Sequence, residues 1–271
     1  MQKPCWYSCT LFKAIVAANA GKASLHPLVL HLTTDASLAA LQQTLAAAGG
    51  PLRRGLDDGR VELTFVWVGE APSVSLQCGL ADHSGMPVPM QQMGDAPVWA
   101  LAVVAEGDEL VSYRFVIDDP FQAAGTLDDN GWQRVMLQEQ LRSFADPNNP
   151  RRIAPLAVLF GLNPSPDQWE SVLALRDAPE SPWFDLQDTF DAPTGTLDRF
   201  ELTSTALGDT RTITVYQPPS DTVAAADRPL VVLLDGRSWI DIAGLPRALD
   251  AATASGEIIA PVVAVVDEAH G

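Results

Sequence analysis

The sequence predicts a β-sandwich followed by an α/β unit, and three observations carry that prediction. Between Arg60 and Ile117, stretches of alternating apolar and polar residues recur at roughly the ten-residue spacing of a sandwich. The segments Leu230–Leu234 and Val262–Val266 are apolar throughout and end in Asp235-Gly236 and Asp267. Between them Leu245 to Ser255 has helical period and stops at Gly256. Strand, helix, strand with uninterrupted apolar strands is the signature of a parallel βαβ unit, its strands expected to be buried on both faces.

The elements follow in order. Residues 26 to 32 form a short apolar strand candidate. Asp35 to Ala48 predicts a helix, with Leu38, Leu41 and Leu45 on one face and Gly49-Gly50-Pro51 as its stop. Val61 to Trp67 and Ser73 to Gln77 alternate with period two. Val98–Val104 and Leu110–Ile117 form a further pair of strands, split by the turn Glu106-Gly107-Asp108-Glu109. From Asp118 to Pro182 prolines are frequent and periodicity is weak, apart from one helix candidate over Trp132–Phe144. Trp132, Phe160, Trp169, Trp183 and Phe184 make this stretch too aromatic for a disordered linker. Phe200–Thr205 and Arg211–Gln217 then read as paired strands around Gly208-Asp209, closed by Pro218-Pro219. Four regions result: a leader over 1–25, a sandwich domain over 26–145, an ordered Pro-rich connector over 146–195, and an incomplete α/β domain over 196–271.

Charge excludes several function classes. The formal net charge is −17, from 34 acidic against 17 basic residues, which argues against nucleic acid and anionic membrane surfaces as partners. The lysines are Lys3, Lys13 and Lys22; every later cation is arginine. Cys5, Cys9 and Cys78 lack C-x-x-C spacing, so neither a disulfide framework nor a zinc site is implied, and a reducing compartment is the simpler reading. Pro4 to Ala18, followed by small residues ending at Ala20-Gly21, loosely resembles a signal peptide, but Lys13 interrupts its apolar region. No other segment approaches the ~18 unbroken apolar residues of a membrane span. A cytoplasmic location is expected, with the periplasm as the alternative. His26, His31 and His83 are scattered, and Asp118-Asp119 and Asp128-Asp129 sit in turn-like sequence without the further spaced oxygens of a calcium loop. No metal site is expected.

Several quoted stretches resemble the enterochelin (enterobactin) esterase family. Ala145-Asp146-Pro147-Asn148-Asn149-Pro150 is similar to its Ala-Asp-Pro-x-Asn-Pro segment, and Arg228 to Gly236 followed by Trp239 to its Arg-Pro-Leu-x-Val-Leu-Leu-Asp-Gly strand. Ile259-Ala260-Pro261-Val262 through Asp267 resembles the strand that follows. Met90-Gln91, Val98-Trp99 and Ser112-Tyr113-Arg114-Phe115 resemble strands of the family's first domain. The resemblance implies an N-terminal immunoglobulin-like sandwich and then an α/β-hydrolase domain. It also implies a ferric catecholate siderophore as the substrate whose esters are opened, and no cofactor of the protein's own, iron entering only with that substrate.

An α/β-hydrolase carries its nucleophile in Gly-x-Ser-x-Gly, followed by an acid and a histidine. That pattern does not occur in these 271 residues, so the catalytic domain is expected to be cut short and inactive as it stands. His270 reads as a chain-end residue. What remains by resemblance is half an oxyanion hole, from the backbone of Gly236, Arg237 or Ser238; a tight strand-end turn with Gly236 supplying positive φ also accounts for these residues. Arg142, Arg151 and Arg152 around the Asp-Pro-x-Asn-Pro segment, with Trp239 beyond the strand, are the candidates for contacting substrate. Two alternatives stand beside the esterase: a non-catalytic siderophore-binding or interaction module, and a carbohydrate-binding sandwich fused to another esterase. The Asp-Pro-x-Asn-Pro segment counts against the last.

Overall fold

The computed structural model describes residues 24–32, 34–83, 85–123, 129–155, 158, 162–179, 194–219 and 227–267. Residues 1–23 of the expected leader, with Cys5 and Cys9, lie outside them, as do Asp128, Phe160, Trp183, Phe184 and His270. The chain divides into two compact units, one of residues 1–153 and 164–179, the other of 154–163 and 180–271.

The first unit is layered. A four-stranded sheet runs β1 (Leu52–Gly55), β2 (Val61–Val68), β6 (Val98–Ala105), β5 (Gln91–Gln92). A six-stranded sheet runs β4 (Val88–Pro89), β3 (Val74–Cys78), β7 (Leu110–Ile117), β10 (Glu170–Ala174), β9 (Arg152–Ile153), with β8 (Ser143–Phe144) also on β7. Every pairing in both is antiparallel. Alternation along each strand decides the layers. Leu63 and Phe65 of β2 share a core with Leu76, Tyr113, Phe115 and Leu173 of the other sheet. Val66, Val98 and Ala100 point the other way and pack with Leu41 and Leu45 of α2 (Asp35–Ala48).

Helix α2 begins and ends as its sequence requires. Thr34 and Ser37 form a reciprocal capping box, and Gly49 takes the left-handed φ of 66° that ends the last turn. The strand expected over 26–32 is instead a single helical turn, α1 (Pro27–Leu30), with the His26 imidazole accepting the Leu28 N–H. Proline at the first helical position favours that start, and a run this short carries no period to overrule it. Helix α3 (Pro120–Ala123) and helix α4 (Asp129–Leu141) follow β7. The Pro-rich segment contributes β10 to the six-stranded sheet, in register with Tyr113–Leu110 of β7, and β9 pairs on the far side of β10.

The second unit is a mixed sheet in the order β11 (Thr196–Ser204), β12 (Asp209–Gln217), β14 (Val262–Val266), β13 (Leu230–Leu234). The first three strands pair antiparallel; β13 and β14 pair parallel. Their crossover holds a π-helical turn (Ser238–Ile242) and α5 (Leu245–Ala254). Leu233, Leu245 and Leu249 pack against Tyr216, Val263 and Val265 on one face. The expectation of a β13 buried on both faces is corrected. It is an edge strand with Leu230, Val232 and Leu234 exposed at 69%, 60% and 68%. Among the described residues one neighbour pairs with it and only its alternate face is covered, so the apolar run reports a strand without reporting its neighbours.

Candidate functional site

The Asp-Gly turn after β13 gathers Gly236, Arg237, Ser238 and Trp239 within one loop at the carboxyl end of the parallel strands, where open α/β sheets bind ligands. Its geometry corrects the expectation that Gly236 supplies the positive φ. The left-handed residue is Asp235, with φ 61°. Glycine is needed next door for space: a Cβ on Gly236 would overlap Asp267 Oδ1 and lie 3.2 Å from the Asp267 backbone nitrogen. The Ser238 N–H donates to Asp235 O at 2.9 Å and is thus spent within the turn. The Trp239 indole N–H donates to Leu234 O at 2.8 Å, which ties the ring to the strand end and leaves its face partly exposed. Arg237 donates to Val158 O at 3.2 Å and pairs with Asp241 at 3.4 Å.

These contacts predict opposite outcomes for adjacent glycine exchanges. Asp235→Gly relieves a left-handed side chain and is expected to raise stability by about 0.5–1 kcal/mol. Gly236→Ala forces the strand ends apart and is expected to lower it by about 1–3 kcal/mol. Urea midpoints of the full chain measure both, and the same sign for the two exchanges contradicts the assignment of φ and space.

Behind the turn, Tyr216 and α5 are joined by Asp250, whose Oδ1 accepts the Tyr216 hydroxyl at 2.7 Å and the Gly195 N–H at 2.8 Å. Burial, with the Asp250 carboxylate as acceptor, pushes the Tyr216 hydroxyl well above its usual pKa. This contact fixes the start of β11 to the helix that crosses between β13 and β14.

The arginine candidates lie in the first unit, and the forks of Arg142 and Arg152 are occupied. Arg142 donates to Asp118 O at 2.7 Å and to its carboxylate at 2.9 Å. Arg152 donates to the carbonyls of Pro166 at 2.9 Å and Asn149 at 3.3 Å. The Arg151 backbone N–H donates to Asn149 Oδ1 at 2.9 Å. All of these bind the segment that bears them to its own surroundings.

The signature segments themselves are structural. Asp146 is 2% exposed. Its Oδ2 accepts the Tyr113 hydroxyl at 2.9 Å, and its Oδ1 accepts the Asn148 N–H at 2.8 Å. Asn149 donates to Tyr113 Oη at 3.2 Å and to Val172 O at 2.9 Å. Burial raises the Asp146 pKa, although the Asn148 N–H and the Tyr113 hydroxyl oppose the rise. Arg114, next along β7, is 5% exposed on the opposite face. It pairs with Glu139 of α4 at 3.0 Å and donates to Gln77 at 2.5 Å and Gln140 at 2.9 Å. Sequence reasoning missed this buried ion pair; its one signal was a charge inside an alternating apolar strand. Among the described residues no three His, Cys, Asp or Glu side chains come together as a metal site, and no helix is long and apolar enough to cross a membrane.

No family profile matches the chain. It is 28% identical over 254 residues to an iron(III) enterobactin esterase of Yersinia enterocolitica, covering 83% of this chain and 67% of that protein. It is 27% identical over 246 residues to the iron(III) enterobactin esterase of Dickeya dadantii, covering 84% of this chain and 54% of that protein. Among solved structures, the ferric enterobactin esterase of Salmonella typhimurium aligns with a TM-score of 0.62 at 24% identity, over 84% of this chain and 58% of that one. The Shigella flexneri enterobactin esterase, crystallised in the presence of enterobactin, aligns at 0.56 and 23% identity, over 88% and 58%. The class is therefore a sheet-rich protein with some helices and the fold of siderophore esterases. The chain is thus similar over most of its length to iron(III) enterobactin esterases, and it spans between about half and two thirds of the length of the curated relatives it matches.

Proposed function

We propose that this chain carries the immunoglobulin-like sandwich and the first strands of the α/β-hydrolase domain of an esterase that opens the ester bonds of a ferric catecholate siderophore. The observation that carries this reading is the mixed sheet of the second unit: an antiparallel hairpin leading into a parallel pair, with the Gly236–Ser238 turn at its carboxyl end, in a chain whose curated relatives are enterobactin esterases. A hydrolase of this fold takes one oxyanion donor from an early strand–helix loop, and the turn at Gly236 and Arg237 stands in that position. The nucleophile and the base belong to sequence beyond these residues, since no Gly-x-Ser-x-Gly occurs within them. The open edge of β13 and its exposed leucines suit the addition of a further parallel strand. Iron enters with the substrate, and the protein needs no cofactor of its own for ester hydrolysis.

Half an oxyanion hole is worth about 3–4 kcal/mol of transition-state stabilisation only when a nucleophile is present. The 271-residue polypeptide is therefore expected to leave ferric enterobactin intact. Chromatography of the catecholate products after prolonged incubation measures this, and release of linear ester fragments above the buffer control overturns the assignment of the missing nucleophile. Tight ferric catecholate binding with no cleavage, surviving when these residues are joined to the remainder of a relative, favours the non-catalytic binding module instead.

A further inference from the structure

A cavity of about 370 Å³ opens on the outer side of the six-stranded sheet, away from the Asp-Gly turn in sequence and chemistry. Helix α4 presents Trp132, Met136 and Glu139 to it, at the i, i+4, i+7 spacing of one helix face. Phe121 of α3 forms a second wall, its ring centroid 5.3 Å from that of Trp132 with the planes inclined at 49°. Its helix is pinned, because the Phe121 N–H donates to Asp119 Oδ1 at 2.9 Å and Asp119 accepts the Ser75 hydroxyl at 2.7 Å. Met86 and buried Pro87 close the third side, on a loop held by the Gln77 amide donating to Gly85 O at 2.8 Å.

The lining states what would fit. Two rings and two thioethers favour a flat aromatic group, through ring-edge and sulfur contacts. The volume is at the small end of ligand cavities, enough for one ring with a short substituent. Gln77 and Glu139 stand among the lining residues, and both are fixed by Arg114. Glu139 is fully buried, and its oxygens also accept from Ser143 and Gln140. The guanidinium balances the Glu139 carboxylate, so this end of the cavity carries no net charge and presents the half-buried Gln77 amide. An uncharged end with an amide acceptor favours a neutral ring that bears a donor. The surrounding chain, with formal net charge −17, disfavours a carboxylate.

We propose that this cavity is a binding site for a single neutral aromatic ring carrying a hydrogen-bond donor, a phenol being the simplest example. The assignment does not depend on ester hydrolysis. The full chain titrated with 4-fluorophenol and followed by fluorine NMR is expected to give a saturable shift, with a Kd of about 0.1–10 mM for so small a ligand. 4-Fluorobenzoate is expected to bind at least about tenfold more weakly. Trp132→Ala is expected to weaken phenol binding by about tenfold or more. Met136 is 46% exposed, so Met136→Lys obstructs the cavity without touching the core and decides the matter if the tryptophan variant fails to fold. A linear, non-saturating shift overturns the proposal. So does phenol binding that both variants leave unchanged, or benzoate binding as tight as phenol.

Discussion

Arg114→Met is expected to lower the stability of the first unit by about 3–5 kcal/mol, because it leaves a buried carboxylate without its counter-charge. Glu139 is 0% exposed and Arg114 is 5% exposed. The guanidinium supplies Glu139, Gln77 and Gln140 at once, so the loss reaches α4 and the loop held by Gln77 together. Burial raises the Glu139 pKa and the Arg114 charge opposes the rise. A carboxyl whose folded pKa lies above its unfolded value binds its proton more tightly when folded. Its contribution is therefore full below the unfolded pKa and is lost as pH rises through the folded one. Without Arg114 only the Ser143 and Gln140 hydrogen bonds oppose the burial, so the deficit of the variant should grow between about pH 4 and about pH 8. Urea midpoints across that range measure it, and a deficit that shrinks with rising pH refutes the unpaired carboxylate as the cause. Arg114→Met combined with Glu139→Leu should recover most of the loss, since replacing both partners leaves no charge behind.

Asp146→Ala is expected to cost about 2–4 kcal/mol. The carboxylate accepts the buried Tyr113 hydroxyl and, part-buried, the Asn148 backbone N–H and side-chain amide, and each orphaned buried donor costs about 1–3 kcal/mol. The Asp146 N–H still reaches Ser171 Oγ at 2.8 Å, so the segment keeps one tie to β10 and the variant should fold. Tyr113→Phe tests the partner. If the two sides of this bond act together, the double variant loses less than the sum of the single ones, by at least about 0.5 kcal/mol. Strict additivity removes the Tyr113–Asp146 bond from the account.

Strand and helix bounds were legible in several stretches with a sustained period, whereas the strand expected over Phe200–Thr205 spans Thr196–Ser204 and the helix expected over Trp132–Phe144 spans Asp129–Leu141. Leu110–Ile117, Leu230–Leu234, Val262–Val266 and Asp35–Ala48 have the bounds that alternation, apolar runs and stop residues indicate. Two-residue strands such as Gln91–Gln92 and Arg152–Ile153 are too short for any periodicity. They exist because a neighbouring strand offers a free ladder, which is a property of the assembled sheet. Glu170–Ala174 was hidden among prolines for the same reason. At the candidate site, the sequence located the Asp-Gly turn but misplaced its strained residue. Asparagine and aspartate tolerate a left-handed φ when glycine is required elsewhere, and the closeness of Gly236 to Asp267 is a contact across strands that no local pattern records. For the arginines near Asp146 charge alone is visible in sequence, and the carbonyls that hold Arg152, from residues as distant as Pro166, are not.

The bond between Tyr113 and Asp146 joins two of the stretches that carry the family resemblance. Both recognisable words of the sequence thus spell a joint in the scaffold. A descendant that had given up ester cleavage altogether would still need that joint to stand, and would go on displaying both words.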